Sequence, residues 1–460
     1  MINLSPETTL IKHGTILTMD SKDRVIEDGS VVIRGSTILD VNKTEKIRDR
    51  YKVDRTIEAK GKAIIPGLIN IHLHSWPTKG IGDEFSLEKW LDTFVHPLHK
   101  VVQPNEAYMG SLLSYADSIK SGTTCILDMY RFMDRSADAA ERVGIRAVLA
   151  PMVSDADPFH EKFEDNEKLI RERHGSANGR IHVWCGVDHS DSSPELLRKA
   201  RECANKYKVG IHLHTNESLR DVKTLKRRYD KGPIEYLHDL GITGRNSVFA
   251  HCVWLSKREI QILRETGTSV AHCPVSNMKV ADGVAPIPHL MSIGVNVGLG
   301  SDGTIESNSV DMFNVMRLTS LLHRVNEMDA TIMPAKTVLR MATLDGARAL
   351  GLDKEIGSIE PGKKADIAIV DLHKLHFTPV LYGDFFNIYS HLVYVASNGD
   401  VETVIIDGRV VMENRSLKTV DEDKVIQEAT EAAKALLERS KKLRRSARTQ
   451  KNEHDRDMSG

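Results

Sequence analysis

Two histidines stand two residues apart in His72-Leu73-His74, directly after the apolar run Ala63-Ile64-Ile65-Pro66-Gly67-Leu68-Ile69-Asn70-Ile71. A β-type run with this ending puts both imidazoles on one face of a strand, at its C-terminal end. Neutral imidazole is the commonest protein metal ligand, so the pair makes half of a metal site. A second pair occurs in His212-Leu213-His214-Thr215-Asn216-Glu217. Period two again sets both rings on one face, and Glu217 falls just past the strand. A hydrolytic metal site needs such a group, because an activated water must lose its proton and the leaving group must gain one. Glu217 would equally serve as a first-turn acid beside a helix N-terminus. Two further features follow apolar strands: Ala250-His251-Cys252 and Gly300-Ser301-Asp302-Gly303. A carboxylate at a strand end binds a metal or accepts a proton from water, whereas Asp-Gly is also a common turn pair. His272 closes another strand and reads as a satisfied core group.

The elements that must position these residues form a regular series. Between 67 and 356 strand-like and helix-like segments alternate. Strands are expected at 124–127, 147–150, 181–185, 210–214, 247–251, 269–272 and 295–300, and helices at 104–121, 136–143, 193–207, 256–266 and 335–350. Such alternation over nearly 300 residues predicts an α/β fold, a (β/α)8 TIM-type barrel, in which polar residues at strand C-terminal ends carry the chemistry. Residues 1–66 and 357–420 read as short strands and turns, with a hairpin at Gly35-Ser36. Neither set suffices for a domain, so one small β-sandwich built from both ends is expected around the inserted barrel. Residues 421–460 read as a helix to about Leu437 and then a basic, polar, solvated tail.

The composition narrows the function classes. The chain has 460 residues with a formal net charge of -1, which gives no general attraction to nucleic acid or anionic lipid. No apolar stretch is long enough for a membrane span, and the N-terminus lacks a signal-peptide pattern. The five cysteines show no Cys-x-x-Cys pair. A reduced, cytoplasmic enzyme is the expectation.

These blocks together resemble the amidohydrolase superfamily, in the branch of the methylthioadenosine/S-adenosylhomocysteine deaminases and the s-triazine (atrazine chlorohydrolase-like) hydrolases. The resemblance runs through Pro66 to His74, Trp90-Leu91, Ser121-Gly122-Thr123-Thr124, His212 to Glu217, His251-Cys252 and Ala271-His272-Cys273-Pro274-Val275-Ser276-Asn277. It continues through Gly283-Val284-Ala285-Pro286, Gly300 to Gly303, Met341-Ala342-Thr343 and Gly357 to Asp366. It implies that His72, His74, His214 and Asp302 hold one divalent metal ion, zinc with iron as the alternative. Glu217 is then the proton shuttle, and Asp302 assists in deprotonating water. His251 polarises the substrate, while His189 and His99 are substrate contacts. His212 supports its neighbours without being a ligand. The strand Ile181 to Cys185 holds no lysine of the kind that bridges two metals in binuclear relatives, which favours one metal.

The implied reaction is hydrolytic deamination of a small heterocyclic substrate, replacing a ring amino group by hydroxyl. The resemblance is also compatible with a homo-oligomer. His99 stands where the nucleoside deaminases carry a ribose-clasping glutamate, and an imidazole lacks the paired acceptors that hold a vicinal diol. An arginine expected near Ala150-Pro151-Met152 is absent as well. An amino-substituted aromatic N-heterocycle is therefore the expected substrate. The alternatives are a methylthioadenosine/S-adenosylhomocysteine deaminase proper, a triazine-type hydrolase expelling chloride or alkylamine, and, more remotely, a non-enzymatic scaffold.

Overall fold

The computed structural model describes residues 7–156, 159–188 and 192–457. His189 lies outside the described residues. Two parallel sheets form the middle of the chain. One joins Leu68–Leu73, Thr123–Tyr130, Arg146–Pro151 and Ile181–Val183; the other joins Cys185–Gly186, Ile211–Thr215, Ser247–His251, Ser269–His272 and Val297–Leu299. Strands in such sheets are covered on both faces and read as near-continuous apolar runs. Every residue of Leu68–Leu73, Thr123–Tyr130 and Arg146–Pro151 is buried.

The expected strand 181–185 is divided. Trp184 donates its N–H to Leu149 O at 2.9 Å, and Cys185 donates to Gly210 O at 2.9 Å. The segment thus changes partners within two residues, which is invisible in a hydrophobicity pattern. The expected helix 335–350 is two helices, Ala335–Met341 and Leu344–Ala349, broken at Thr343 with φ −133° and ψ −95°.

The two ends of the chain do meet, as one continuous nine-stranded sheet rather than two separately bonded layers. Lys62–Pro66 is the hinge of this sheet. It pairs in parallel with Thr8–Leu17 and antiparallel with Ile367–Asp371, so the N- and C-terminal strands share a ladder. The Gly35-Ser36 step joins Val25–Arg34 to the antiparallel strand Thr37–Lys43. A separate apolar core that includes Ile11, Ile33, Ile64, Ile369 and Ile405 belongs to this sheet. Arg146, 1% exposed, ties it to the parallel strands through a bidentate ion pair with Asp366 at 2.9 and 3.1 Å.

The C-terminal segment departs from expectation. A single helix of 36 residues runs over Glu422–Asp457, straight through the basic run read as a solvated tail. Its long side chains reach back to the molecule, and contacts of that kind leave no apolar periodicity to detect. The described free cysteines are all buried. Among the described residues no helix is long and apolar enough to cross a membrane.

Candidate active site

His72 and His74 lie at the end of Leu68–Leu73, His214 near the end of Ile211–Thr215, His251 at the end of Ser247–His251, and Asp302 three residues past Val297–Leu299. Parallel strands present their C-terminal ends to one side, so four chain-distant segments deliver these groups to one place. Close approach requires Gly300, where an added Cβ would sit 2.7 Å from His72 Cβ and 2.9 Å from Cys273 Sγ. Backbone turns then aim the side chains. His251, Cys252, Asn216 and Asp302 all hold positive φ, between 50° and 69°. Such conformations are unfavourable for these residues and persist where the surroundings hold them, commonly at functional sites. Asp302 N donates to His72 O at 3.0 Å, and Cys252 N to Thr215 O at 3.1 Å. Asn70 Oδ1 accepts from His72 N and Ser301 N at 3.3 and 3.0 Å.

Donor atoms converge at the centre. His72 Nε2 is 3.2 Å and His74 Nε2 3.5 Å from Asp302 Oδ1, and His74 Nε2 is 2.9 Å from His214 Nε2. Atoms bound to one tetrahedral zinc ion stand about 3.3 Å apart, a spacing these distances bracket. The hydrogen bonds behind the rings determine which nitrogens are bare. His212 Nδ1 meets Val248 O at 2.9 Å and must donate, because a carbonyl only accepts. His212 Nε2 is therefore an acceptor, and His72 Nδ1, 2.8 Å away, donates to it. That leaves His72 Nε2 as a lone pair, buried and without a hydrogen-bond partner, facing a carboxylate. By the same logic His74 Nδ1 donates to Met129 O, leaving its Nε2 unprotonated. Lone pairs and a carboxylate crowded together repel unless a cation lies among them. The residues present therefore fit a divalent metal ion.

The electrostatics agree. Burial, only partly offset by Asp302, takes His72 down to about 4, and burial with the neighbouring rings takes His214 well below the ordinary imidazole value. Both rings are thus neutral, the state in which an imidazole can bind a metal. Asp302 is held well below the carboxylate range against its burial, by the close polar contact with His72 and the charge of His251. Burial raises Glu217, with the His251 charge opposing and Asp302 reinforcing. Burial opposes a charge on His251, yet Glu217 and Asp302 outweigh it and leave this imidazole above its ordinary value. Glu217 Oε1 lies 3.7 Å from His251 Nε2, and His251 Nδ1 is 2.9 Å from Asn277 Oδ1.

The site opens into a cavity of about 490 Å³ lined by His74, His214, Glu217, His251 and Asp302 together with Leu87, Trp90, Leu91, Asp92, His96, Asp188, Arg220, Asp221 and Glu306, among others. His99 is not on that wall. It is 8% exposed, with Nε2 buried and unpartnered and its ring 4.9 Å from His160 and 6.3 Å from Trp76. His272 is not part of the cluster either. Its Nε2 meets that of His323 at 3.0 Å in a buried pair.

Three relevant groups escaped the reading of the sequence. Asn277, which orients His251, lies in a quoted motif without having been singled out. Glu306 lines the cavity four residues past Asp302. Asp282, 6% exposed, is pushed up to about 8 by burial and then by the Glu217 charge. Nothing in the sequence around either acid announces it, because both are delivered by loops.

Comparison with known proteins places this geometry in context. Residues 63–411 match the amidohydrolase family. The 5'-deoxyadenosine deaminase of Methanosarcina mazei is 38% identical over 436 residues, covering 94% of this chain and 98% of the relative. The 5-methylthioadenosine/S-adenosylhomocysteine deaminase of Thermoanaerobacter pseudethanolicus is 39% identical over 436 residues, covering 94% and 99%. Among solved structures, an adenosine deaminase from Xanthomonas campestris with bound zinc superposes with a TM-score of 0.89 at 30% identity, covering 94% of this chain and 99% of that one. An atrazine chlorohydrolase from Arthrobacter aurescens, complexed with zinc, shares the fold with a TM-score of 0.84 at 24% identity, covering 92% and 99%.

Proposed function

The chain belongs to the amidohydrolase family and is a hydrolytic deaminase, and we propose that its cavity replaces the amino group of an N-heterocyclic ring carbon by hydroxyl. The observation that carries this reading is the convergence of His72 Nε2, His74 Nε2, His214 Nε2 and Asp302 Oδ1, with Glu217 and His251 beside them. His72, His74, His214 and Asp302 would hold one ion. Zinc is favoured by a neutral three-imidazole, one-carboxylate donor set and by the zinc in the Xanthomonas relative. When bound, the ion supplies the Lewis acidity that makes water nucleophilic near neutral pH.

The chain's own groups do the rest. Glu217, as a carboxylate, accepts a proton from the attacking water and delivers it to a ring nitrogen and then to the departing amine. Asp302 shares in that first transfer. His251, oriented by Asn277, donates a hydrogen bond from Nε2 where negative charge develops on oxygen. The product carries hydroxyl or its oxo tautomer, and ammonia leaves with the transferred protons. His212 holds His72 in the tautomer that bares Nε2.

A second reading, a 5'-deoxyadenosine-type substrate, is favoured by relatives so named at 38% and 39% identity over 94% of the chain. His99, in place of a ribose-clasping glutamate, and the absence of an arginine near Ala150-Pro151-Met152 stand against it. His189 remains a proposed substrate contact. The test is ammonia release from aminated purines, pterins, pyrimidines, triazines and adenosine derivatives by the zinc-loaded protein. Turnover of a free aminated ring is expected. Turnover restricted to the adenosine derivatives would favour the second reading, and none across the panel would reject both.

We infer further that the two parallel sheets are the halves of a closed eight-stranded barrel. In this reading Ile181–Val183 and Cys185–Gly186 count as one interrupted strand. Two hydrogen bonds support it: Asp302 N, three residues past Val297–Leu299, donates to His72 O of Leu68–Leu73, and Trp184 N, between Ile181–Val183 and Cys185–Gly186, donates to Leu149 O of Arg146–Pro151. The corresponding division is a catalytic domain over 67–356, between 1–66 and 357–420, whose described strands form the terminal sheet, with 421–460, helical over Glu422–Asp457, after them.

A further inference from the structure

The cavity wall is held from an unexpected direction. Leu87, Trp90, Leu91, Asp92 and His96 line the cavity from the segment running through Leu87–Trp90, a π-turn over Leu91–Val95, and the helix His96–Val101. A π-turn widens the helix and disturbs the regular i to i−4 ladder, and such turns recur at functional sites. It therefore leaves backbone carbonyls in need of other donors. Arg444, deep in the basic run, supplies one: its Nη1 donates to Thr93 O at 3.2 Å, and its guanidinium lies 5.3 Å from the Phe94 ring centroid. One turn and a half earlier, Arg439 Nε donates to Val101 O at 3.2 Å, and Arg439 Nη2 pairs with Glu106 Oε2 at 2.7 Å. Glu106 is 4% exposed and also accepts from Gln103 N at 2.9 Å, capping the next helix, Pro104–Lys120.

The two arginines thus hold this segment in its middle, at Thr93, and at its C-terminal end, at Val101. On the far side, Trp90 Nε1 donates to Ile81 O at 2.7 Å, and Phe94 packs against Phe85 with centroids 5.5 Å apart. Without the C-terminal helix the π-turn would lose the donor to Thr93 O and keep its core packing and the contacts on that side. The planar fork of arginine suits simultaneous carbonyl bonding and ring stacking, which an ammonium does not reproduce.

We propose that the basic run of the C-terminal helix is a clamp on the substrate-facing wall, with Arg444 as a positioning residue that fixes the π-turn and Arg439 as its anchor. This rests on the cavity being the substrate site. The clamp sets how well substrate is held and leaves the proton-transfer groups alone, since neither arginine lines the cavity. Its loss therefore appears in KM and not in kcat.

The experiment compares full-length wild type with Arg444→Ala, Arg444→Lys, Arg439→Ala and, as a control, Lys441→Ala. Lys441 is half exposed and pairs with Glu438, 3.7 Å away on the same helix. Steady-state kinetics are measured on whichever heterocycle the wild type deaminates, together with hydrogen exchange of residues 87–101. For Arg444→Ala a rise in KM on the order of 10-fold, with kcat within about twofold, is expected. Faster exchange confined to that segment should accompany it, with a smaller change in Arg444→Lys and none in Lys441→Ala. Arg439→Ala should show the same pattern with faster exchange extending to the start of the next helix. Unchanged KM and exchange in both alanine variants would overturn the clamp. So would equal losses of protection across the whole molecule, which would mark the arginines as general stabilisers. The exchange comparison stands even if no substrate is found, so failure of the clamp is distinguishable from failure of the deaminase reading.

Discussion

In two clusters among the described residues buried imidazole nitrogens meet one another, and the two are built differently. His72, His74 and His214 meet Asp302 with donor distances from 2.9 to 3.5 Å, while His272 and His323 face each other at 3.0 Å. Both clusters involve a histidine at a parallel strand's C-terminal end, and in both burial depresses the imidazoles. The difference lies in what stands behind and in front of the rings. In the first cluster Val248 O and Met129 O dictate the tautomers, and bare nitrogens are driven against a carboxylate. In the second no carboxylate takes part, and a single shared proton satisfies the facing nitrogens. A strand-end histidine is thus fitted to bind a metal by its partners, not by its position.

That contrast can be broken at its strongest point first. Asp302→Ala removes the anion on which the bare nitrogens converge, and turnover should fall below detection in a folded protein; residual activity above about 1% of wild type would mean the carboxylate is not central. Glu217→Gln keeps the donor set and removes the proton carrier. Bound metal should stay at the wild-type level while kcat drops about 10²- to 10⁴-fold, and normal turnover would take Glu217 out of the mechanism. The same residue sets a pH limit. Glu217 acts as a base and its carboxyl is raised above 4.5, so the acidic limb of kcat/KM should lie above pH 4.5, with activity lost as pH falls through it. A limb at or below that value would contradict the burial-driven shift.

Smaller effects sharpen the comparison. His212→Ala leaves His72 free to choose its other tautomer, and metal affinity measured by chelator competition should weaken by about 10- to 100-fold. An unchanged affinity would show that the tautomer argument does not govern binding. His323→Leu, in the second cluster, should leave metal content and kcat within about twofold and lower stability by roughly 1–3 kcal/mol, since His272 loses its partner. A loss of metal there would erase the distinction between the clusters.

Much of the first cluster was legible because its chemistry is short-range in sequence. His72-Leu73-His74 and His212-Leu213-His214 announce strand-end pairs, and Glu217 follows at a fixed offset. The βα alternation likewise marked the strands that deliver them. What stayed hidden depends on long-range geometry. The break at Trp184 is an exchange of strand partners, with no local signature. Asp282 and the cavity-lining Glu306 come from loops, where neither period nor propensity points inward. His99 reads by position as a substrate contact, but lies behind the wall beside Trp76, Tyr130 and His160. The basic segment after Leu437 reads as solvated because arginines clamp through their tips and leave no apolar stripe.

The most direct measurement is metal content by elemental analysis of wild type, His214→Ala and His323→Leu, prepared alike and checked for folding. The account predicts about one equivalent of divalent metal, zinc foremost, in wild type and His323→Leu, and a large loss in His214→Ala. Metal retained in full by His214→Ala, or absent from a folded, zinc-supplied wild type, would contradict it.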